Sequence, residues 1–198
     1  MIITYNNKME EIEVKILNIE PKKVIYKIKK LGAKKISQGL VHSKGYDFPR
    51  KVLRKKSQYV RVRKINDKIE VVFKGLKKGK YFDINEEIEY LSSNFEKACL
   101  IFERLGMKKF ADMEKYRVTY KLNNSKIEFD KYPTVPWFIE VESPTEKEVK
   151  EIVKLLNFDF NDKKKVTTKL INQVYGDQVH FTNFKEKEEY NQYLHLFD

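Results

Sequence analysis

The sequence repeats a short pattern in which two charged residues flank one apolar or aromatic residue. Neighbouring side chains of a β-strand point to opposite faces, so both charged members of each triplet would share one face. Carboxylates bind hard divalent cations, whereas Arg and Lys bind phosphate oxygens. The pattern therefore predicts chemistry on a metal and a phosphate-bearing anion if these faces meet. The charged pairs are Glu11 and Glu13 (with Lys15 following), Arg61 and Arg63, Glu87 and Glu89, Lys115 and Arg117, Glu128 and Asp130, and Glu140 and Glu142.

A single triplet of this kind is typical of a half-exposed strand. Its recurrence, with acids and bases both represented, indicates that the charged faces converge in a closed sheet whose apolar side lies under helices. Crowded carboxylates need counterions, and oxygen ligands favour Mg²⁺ or Mn²⁺, whereas the sequence offers no His–Cys cluster for zinc. The alternative is a salt-bridge network that only stabilises a barrel, which buried ion pairs do poorly.

The elements that must position these residues are short strands separated by helices. Capping residues and apolar stripes predict helices at residues 19–31, 95–105, 145–156 and 162–175. Ser93 and Thr145 each open a capping box, and Gly32 and Gly106 end the first two helices. Polar turns at residues 65–67 and 123–125 predict two hairpins. This order predicts an α+β fold.

The ordered set of motifs resembles the CYTH superfamily, the triphosphate tunnel metalloenzymes. The resemblance begins with Glu11, Glu13 and Lys15 as an ExExK signature, continues through the later charged pairs with Lys74 before Gly75, and extends to about Gly176. It implies an eight-stranded antiparallel closed β-barrel with a charged lumen, flanked by helices. We therefore divide the chain into a tunnel domain at residues 1–176 and a tail at 177–198.

The resemblance also implies a role for each matching residue. Lys15 matches a lysine implicated in activating the nucleophile. Residues that match phosphate binders are Arg61, Arg63, Lys74, Lys115 and Arg117. Residues that match metal-binding carboxylates are Glu11, Glu13, Glu140, Glu142 and Asp130, with Glu87, Glu89 and Glu128 as weaker candidates. Members of the group include class IV adenylyl cyclases, thiamine triphosphatases and inorganic tripolyphosphatases.

The favoured reaction is Mg²⁺- or Mn²⁺-dependent hydrolysis of a small-molecule triphosphate: inorganic tripolyphosphate, thiamine triphosphate or a nucleoside triphosphate. The segment Tyr46 to Pro49 resembles an element of the hydrolase-like members more than that of the cyclases. A class IV adenylyl cyclase is the first alternative, and a non-catalytic binder of polyphosphate or nucleotides is the second. Trp137 or Tyr132 could stack on an organic ring, although wall packing is their ordinary role.

Bulk properties set the remaining expectations. The chain has 198 residues and a formal net charge of +12, which favours a polyanionic partner, but it has no motif for specific nucleic-acid binding. It has no long apolar run, no signal-peptide pattern and one cysteine, Cys99, so we expect a cytoplasmic protein without membrane contact. Residues 186–196 could form a short amphipathic helix, and the tail could dock on the barrel, cover a tunnel mouth or contact a second copy in a homodimer.

Overall fold

The computed structural model describes residues 9–78, 83–186 and 188–197, and the side chains of these residues except 9–11, 76–78 and 83–85. Its strands are β1 (Met9–Ile16), β2 (Lys34–Asp47), β3 (Gln58–Ile65), β4 (Lys68–Lys78), β5 (Asp83–Ser92), β6 (Lys108–Leu122), β7 (Ser125–Lys131), β8 (Phe138–Ser143) and β9 (Val166–Thr167). Its α-helices are α1 (Pro21–Lys30), α2 (Phe95–Arg104), α3 (Glu146–Leu155), α4 (Ile171–Tyr175) and α5 (Glu188–Asn191). Short 3₁₀ turns lie at Pro49–Lys51, Arg54–Lys56, Asp177–Phe181 and Leu194–Phe197.

The strands form one antiparallel sheet in the order β5-β4-β3-β2-β6-β7-β8-β1-β9. β1 also pairs with β5, from Met9 opposite Glu87 to Glu13 opposite Asp83, and this pairing joins the ends of the eight-strand order. On its other side β1 pairs with β8, where Lys15 lies opposite Glu140. Strand pairing thus runs around all eight strands, and the predicted α+β tunnel is confirmed.

The ninth strand was not predicted. Residues 162–175 were expected to form one helix, but the segment holds turns, β9 and the short helix α4, so this prediction was wrong. Val166 is buried and lies opposite Ile16 of β1, and Leu17 N donates to Lys165 O at 2.8 Å. The end of β1 extends past β5, and its free backbone groups draw this segment into the sheet.

Helix starts follow their local sequence. Thr145 is the N-cap of α3, because its Oγ1 accepts a hydrogen bond from Glu148 N at 3.2 Å. The Glu148 carboxylate accepts from Thr145 Oγ1 at 2.8 Å, not from the backbone N–H that the predicted capping box would use. At α2 the cap is Asn94 rather than the expected Ser93, because Asn94 Oδ1 accepts from Lys97 N at 2.8 Å. None of the described helices is both long and apolar enough to span a bilayer.

The hydrophobic core lies outside the barrel, between the outward faces of the strands and the helices. The larger part lies under α1, α3 and the C-terminal segment, and includes Val14, Ile28 and Val153, all fully buried. A second part lies under α2, where Phe95 and Cys99 pack against Tyr46, and a third joins Tyr132 to Val179. The core therefore excludes water from the apolar faces and leaves the inward faces to the charged residues.

The C-terminal segment covers the outer face of the barrel near β6, β7 and β8. Phe197 is 1% exposed, its ring centroid lies 5.2 Å from that of Phe129, and its carbonyl accepts from Tyr120 Oη at 3.3 Å. Tyr193 packs against Tyr116 and, edge-on at 5.3 Å, against Trp137. Trp137 is thus part of the outer core and cannot stack on a ligand in the lumen.

Candidate active site

The charged faces meet around a central cavity. It has a volume of about 1050 Å³, and its wall is formed by alternate residues of the barrel strands and by loops at one end. Sequence-predicted site residues that line it are Glu13, Lys15, Arg61, Arg63, Lys74, Glu87, Glu89, Lys115, Arg117, Glu128, Glu140 and Glu142. The alternation along each strand therefore brings acids and bases from β1, β3, β4, β5, β6, β7 and β8 into one space.

Arg117 on β6 is the most heavily paired base of the lumen. Its Nε donates to Asp130 Oδ1 at 2.7 Å and its Nη2 to Asp130 Oδ2 at 2.5 Å, which is a two-pronged contact. Nη2 also lies 2.5 Å from Glu140 Oε2, and Nη1 contacts the Glu128 carboxylate. Burial opposes the charge of Arg117, but these three carboxylates hold its pKa well above the ordinary value.

A second group of ion pairs joins β1 to β4 and β5. Lys15 Nζ lies 2.6 Å from Glu13 Oε1 and 3.5 Å from Glu140 Oε1. Lys74 Nζ lies 2.8 Å from Glu87 and 3.8 Å from Glu13. Burial opposes ionisation, but Lys15 and Lys74 still lower the pKa of Glu13, and Glu13 and Glu140 raise that of Lys15. Similar attraction lowers the pKa of Glu87 to about 2 against the effect of burial.

Arg61 differs from the other bases because it forms no salt bridge with any residue that the structure describes. Its Nε is buried and makes no hydrogen bond with them. Burial opposes its charge, but Tyr59 and Glu87 raise its pKa without direct contact. Arg63, two residues along β3, instead donates from Nε to Glu70 Oε2 at 2.6 Å, and its Nη2 lies 2.5 Å from the same oxygen. A buried donor without a partner costs free energy, so Arg61 is the group most clearly arranged for an external anion.

The acidic side of the lumen gathers Glu128, Glu140 and Glu142, whose carboxylate oxygens lie within 4.8 Å of one another. Burial and repulsion from the neighbouring carboxylates raise the pKa of Glu128 to about 7, although Arg117 opposes this effect. Glu128 Oε2 is buried and has no well-oriented hydrogen bond among the described residues. The same oxygen contacts Arg117 Nη1, so a cation would compete with that base for it. Three converging carboxylates fit a hard cation such as Mg²⁺ or Mn²⁺.

Asp130 lies behind this cluster and is 0% exposed. Besides its contacts with Arg117, it lies 2.7 Å from Lys115 Nζ. Asp130 therefore holds two bases in place instead of facing the cavity. Glu89 is exposed and lies 3.3 Å from Lys68 Nζ, and the side chain of Glu11 falls outside the described residues.

Sequence reasoning missed several residues of the site. Glu70 is 2% exposed and fixes Arg63, and it belongs to a Lys68–Ile–Glu70 triplet that carries the same signal as the others. Two basic 3₁₀ turns after β2 also reach the cavity through Lys51, Arg54 and Lys55. The end of the cavity is formed by residues 168–173 and by Asp177 with residues 179–181, where the sequence pattern gave no signal.

A barrel with acids and bases facing one lumen is the architecture of the triphosphate tunnel proteins. Residues 9–175 match the family described as the CYTH domain, so the chain belongs to that family. The confirmed membership covers the strands that carry every predicted site residue.

Known relatives share both sequence and fold. A protein of Methanocaldococcus jannaschii provisionally named adenylate cyclase is 28% identical over 158 residues, which cover 75% of this chain and 90% of that protein. A solved structure from Pyrococcus horikoshii superposes with a TM-score of 0.70 at 26% identity, covering 82% of this chain and 98% of that one. A Hippeastrum protein, whose structure is described as revealing a dominant triphosphatase activity in a candidate adenylyl cyclase, has a TM-score of 0.59 at 12% identity, covering 86% and 95%. This last likeness shows the fold alone.

Proposed function

We propose that this protein hydrolyses a triphosphate-bearing small molecule with the help of Mg²⁺ or Mn²⁺. The observation that carries the proposal is Arg61, whose buried Nε has no hydrogen bond among the described residues. It lies on the wall of a cavity that also holds the three-carboxylate cluster. A chain of phosphates needs fixed positive charge along its length, and the cation that accompanies it needs oxygen ligands. The lumen offers both within one enclosed space.

The proposed phosphate-binding residues are Arg61, Arg63, Lys74, Lys115 and Arg117. All five line the cavity, and all except Arg61 are held by carboxylates in this structure. A bound triphosphate would replace some of these carboxylates as the counterion, so little reorganisation of the bases is needed. Arg61 is available without any such exchange.

The proposed metal ligands are Glu128, Glu140 and Glu142. Glu13 lies near this cluster, because Lys15 contacts both Glu13 and Glu140. A divalent cation bound there would neutralise phosphate charge and polarise the bond that breaks. Asp130, by contrast, is proposed as a positioning residue for Arg117 and Lys115, because both of its oxygens already serve those bases.

Lys15 is proposed to act as a charged hydrogen-bond donor. Because Glu13 and Glu140 raise its pKa despite burial, Lys15 carries its proton at neutral pH in this state and cannot accept another. An ammonium at this point can orient an attacking water by donation and stabilise negative charge that develops on a phosphoryl oxygen.

Adenylyl cyclisation is the second candidate, and the M. jannaschii relative named for that activity favours it. Both reactions hold the same phosphate chain, but a hydrolase directs water at the terminal phosphorus, whereas a cyclase places the ribose 3′-oxygen in line with the α-phosphorus. The two reactions release different products, orthophosphate or pyrophosphate with cyclic AMP.

The test is product identification with ATP, thiamine triphosphate and tripolyphosphate, each with Mg²⁺ and with Mn²⁺. We expect orthophosphate from at least one substrate, and no turnover after EDTA treatment. Arg61→Met serves as the matched inactive variant. Cyclic AMP with stoichiometric pyrophosphate and no orthophosphate would show that the protein is a cyclase and not a hydrolase. No turnover of any substrate would refute both reactions and favour a protein that only binds polyphosphate or nucleotides.

A further inference from the structure

One end of the cavity differs in chemistry from the charged lumen. There apolar and aromatic side chains enter the wall among polar ones. The wall is built by Phe110 at the start of β6, by residues 168–173 and by the turn Asp177–Phe181. Leu170 is 39% exposed and Phe181 is 62% exposed. Residues 177–181 follow the end of the CYTH match at residue 175, so this part of the wall belongs to the chain itself and not to the shared domain.

The turn that carries Phe181 is anchored on both sides. Val179 is 2% exposed and packs in a cluster with Ile171 and Tyr132. Just after the turn, Glu114 N donates to Thr182 O at 2.8 Å, and Thr182 Oγ1 donates to Val179 O at 3.0 Å. An aromatic ring left exposed on a fixed turn, at the mouth of a cavity, has no packing role that explains its exposure.

His180 adds a polar group to the same wall. Its ring packs edge-on against Phe110 at 5.9 Å, and the Arg54 guanidinium lies 4.0 Å from the centroid of that Phe110 ring. Its Nδ1 is buried and has no hydrogen-bond partner in the part of the chain that the structure describes. Burial and the nearby Arg54 lower the pKa of His180, although Asp177 opposes this, so the ring is neutral at neutral pH and its tautomer can adjust to a donor or an acceptor.

We propose that this wall, formed by Phe181, His180, Phe110 and Leu170, binds the planar heteroaromatic part of an organic triphosphate. The proposal rests on the proposed function, since it places the phosphate chain among the bases of the lumen. A ring at the mouth could stack on Phe181 and place a polar edge near His180 Nδ1. Inorganic tripolyphosphate has no atoms to use these contacts, so the wall selects organic triphosphates over the inorganic one.

The experiment compares binding of ATP, thiamine triphosphate and tripolyphosphate by calorimetry, without divalent metal so that no turnover occurs. Phe181→Ala removes the exposed ring, and Phe181→Tyr keeps it. Tyr90→Ala is the matched control, because Tyr90 is 71% exposed on the outer face of β5, away from the cavity. Stacking on an aromatic side chain contributes about 1–3 kcal/mol per base, and a ring this exposed should fall at the lower end.

We expect Phe181→Ala to weaken the better-bound organic triphosphate about 5–20-fold and to change tripolyphosphate binding less than about twofold. Phe181→Tyr keeps the ring and should bind both ligands like the wild type. Tyr90→Ala should also leave the affinities for both ligands unchanged. Equal losses for organic and inorganic ligands, or no loss for either, would overturn the proposal. Because the readout is binding, a protein that binds these ligands but hydrolyses none of them would refute the proposed function without deciding this test.

Discussion

Arg61 and Arg117 offer a direct test of which lumen charges serve the fold and which serve a ligand. Arg117 contacts Asp130, Glu128 and Glu140, whereas Arg61 forms no salt bridge among the described residues and is attracted by Glu87 only at longer range. Both side chains lie in the same cavity, and Met in place of either retains much of the apolar stem while removing the charge.

The two substitutions should have different effects on stability. Removing one partner of a buried ion pair costs about 3–5 kcal/mol, because the remaining charge is left uncompensated. In a chain of this size, each kcal/mol lowers Tm by roughly 2–4 °C, so Arg117→Met should lower Tm by about 6–20 °C. Arg61→Met breaks no direct ion pair among the described residues and removes only the longer-range attraction to Glu87, so Tm should stay within about 2 °C of the wild type.

Although Arg61 should matter little for stability, it should matter strongly for the affinity for tripolyphosphate. A hydrogen bond to a charged group contributes about 1.5–3 kcal/mol, so Arg61→Met should weaken tripolyphosphate binding roughly 10–150-fold. Differential scanning calorimetry with and without tripolyphosphate measures both effects in one series. The assignment of Arg61 as a phosphate-binding residue would be wrong if Arg61→Met lowered Tm as much as Arg117→Met. It would also be wrong if the variant bound tripolyphosphate like the wild type.

Three further predictions concern the carboxylates. The double variant Glu140→Gln with Glu142→Gln should bind Mn²⁺ at least about tenfold more weakly in a calorimetric titration, because neutral amides are poorer ligands, and wild-type affinity would contradict the metal site. Asp130→Asn should change Mn²⁺ affinity less than about threefold while lowering Tm through the freed Arg117, so a tenfold loss of Mn²⁺ would make Asp130 a ligand after all. Burial raises the pKa of Glu128 to about 7, above its unfolded value of 4.5, so its contribution to stability is present below pH 4.5 and is lost as the pH rises to about 7. Glu128→Gln should remove this loss from Tm measured across pH 5–8 without metal, and an unchanged profile would contradict it.

The charged face of the tunnel was predictable because it depends on local alternation. A period of two places Glu140 with Glu142, and Lys115 with Arg117, on one side of a strand whatever the rest of the fold does. The barrel also follows from this pattern, since so many charged faces can be covered only if they face each other. The resemblance to the CYTH family then predicts the eight strands of the barrel.

The pairing inside the lumen was not predictable, because it depends on distances between strands. Asp130 has the same sequence signal as Glu128, yet Asp130 lies behind two bases while Glu128 faces the cavity. The predicted helix at residues 162–175 failed for a related reason. Its helical pattern was overridden by backbone groups of β1 that needed partners at Val166.

The residues at the mouth of the cavity could not be predicted from the sequence, for a different reason. Residues 168–173 and 179–181 lie in turns and very short helices, where no periodicity reports which side chain faces inward. Their placement is set by contacts such as Val179 in its buried cluster and Glu114 with Thr182, which join distant parts of the chain. The wall that carries Phe181 and His180 could be recognised only once those contacts were seen.

The position of β1 in the ring has a consequence for the order in which the protein is made. β1 leaves the ribosome before the other strands of this sheet, yet its partners are β5, β8 and β9. Lys15 therefore cannot meet Glu140 and Thr167 until those later strands have been synthesised. Strands β2 to β5 can pair as they emerge, through short connections, whereas β1 must wait for β5 along one edge and for β8 along the other. A nascent chain released after β7 would present β1 as an open edge available to other chains, and its bases and carboxylates would never enclose a common space.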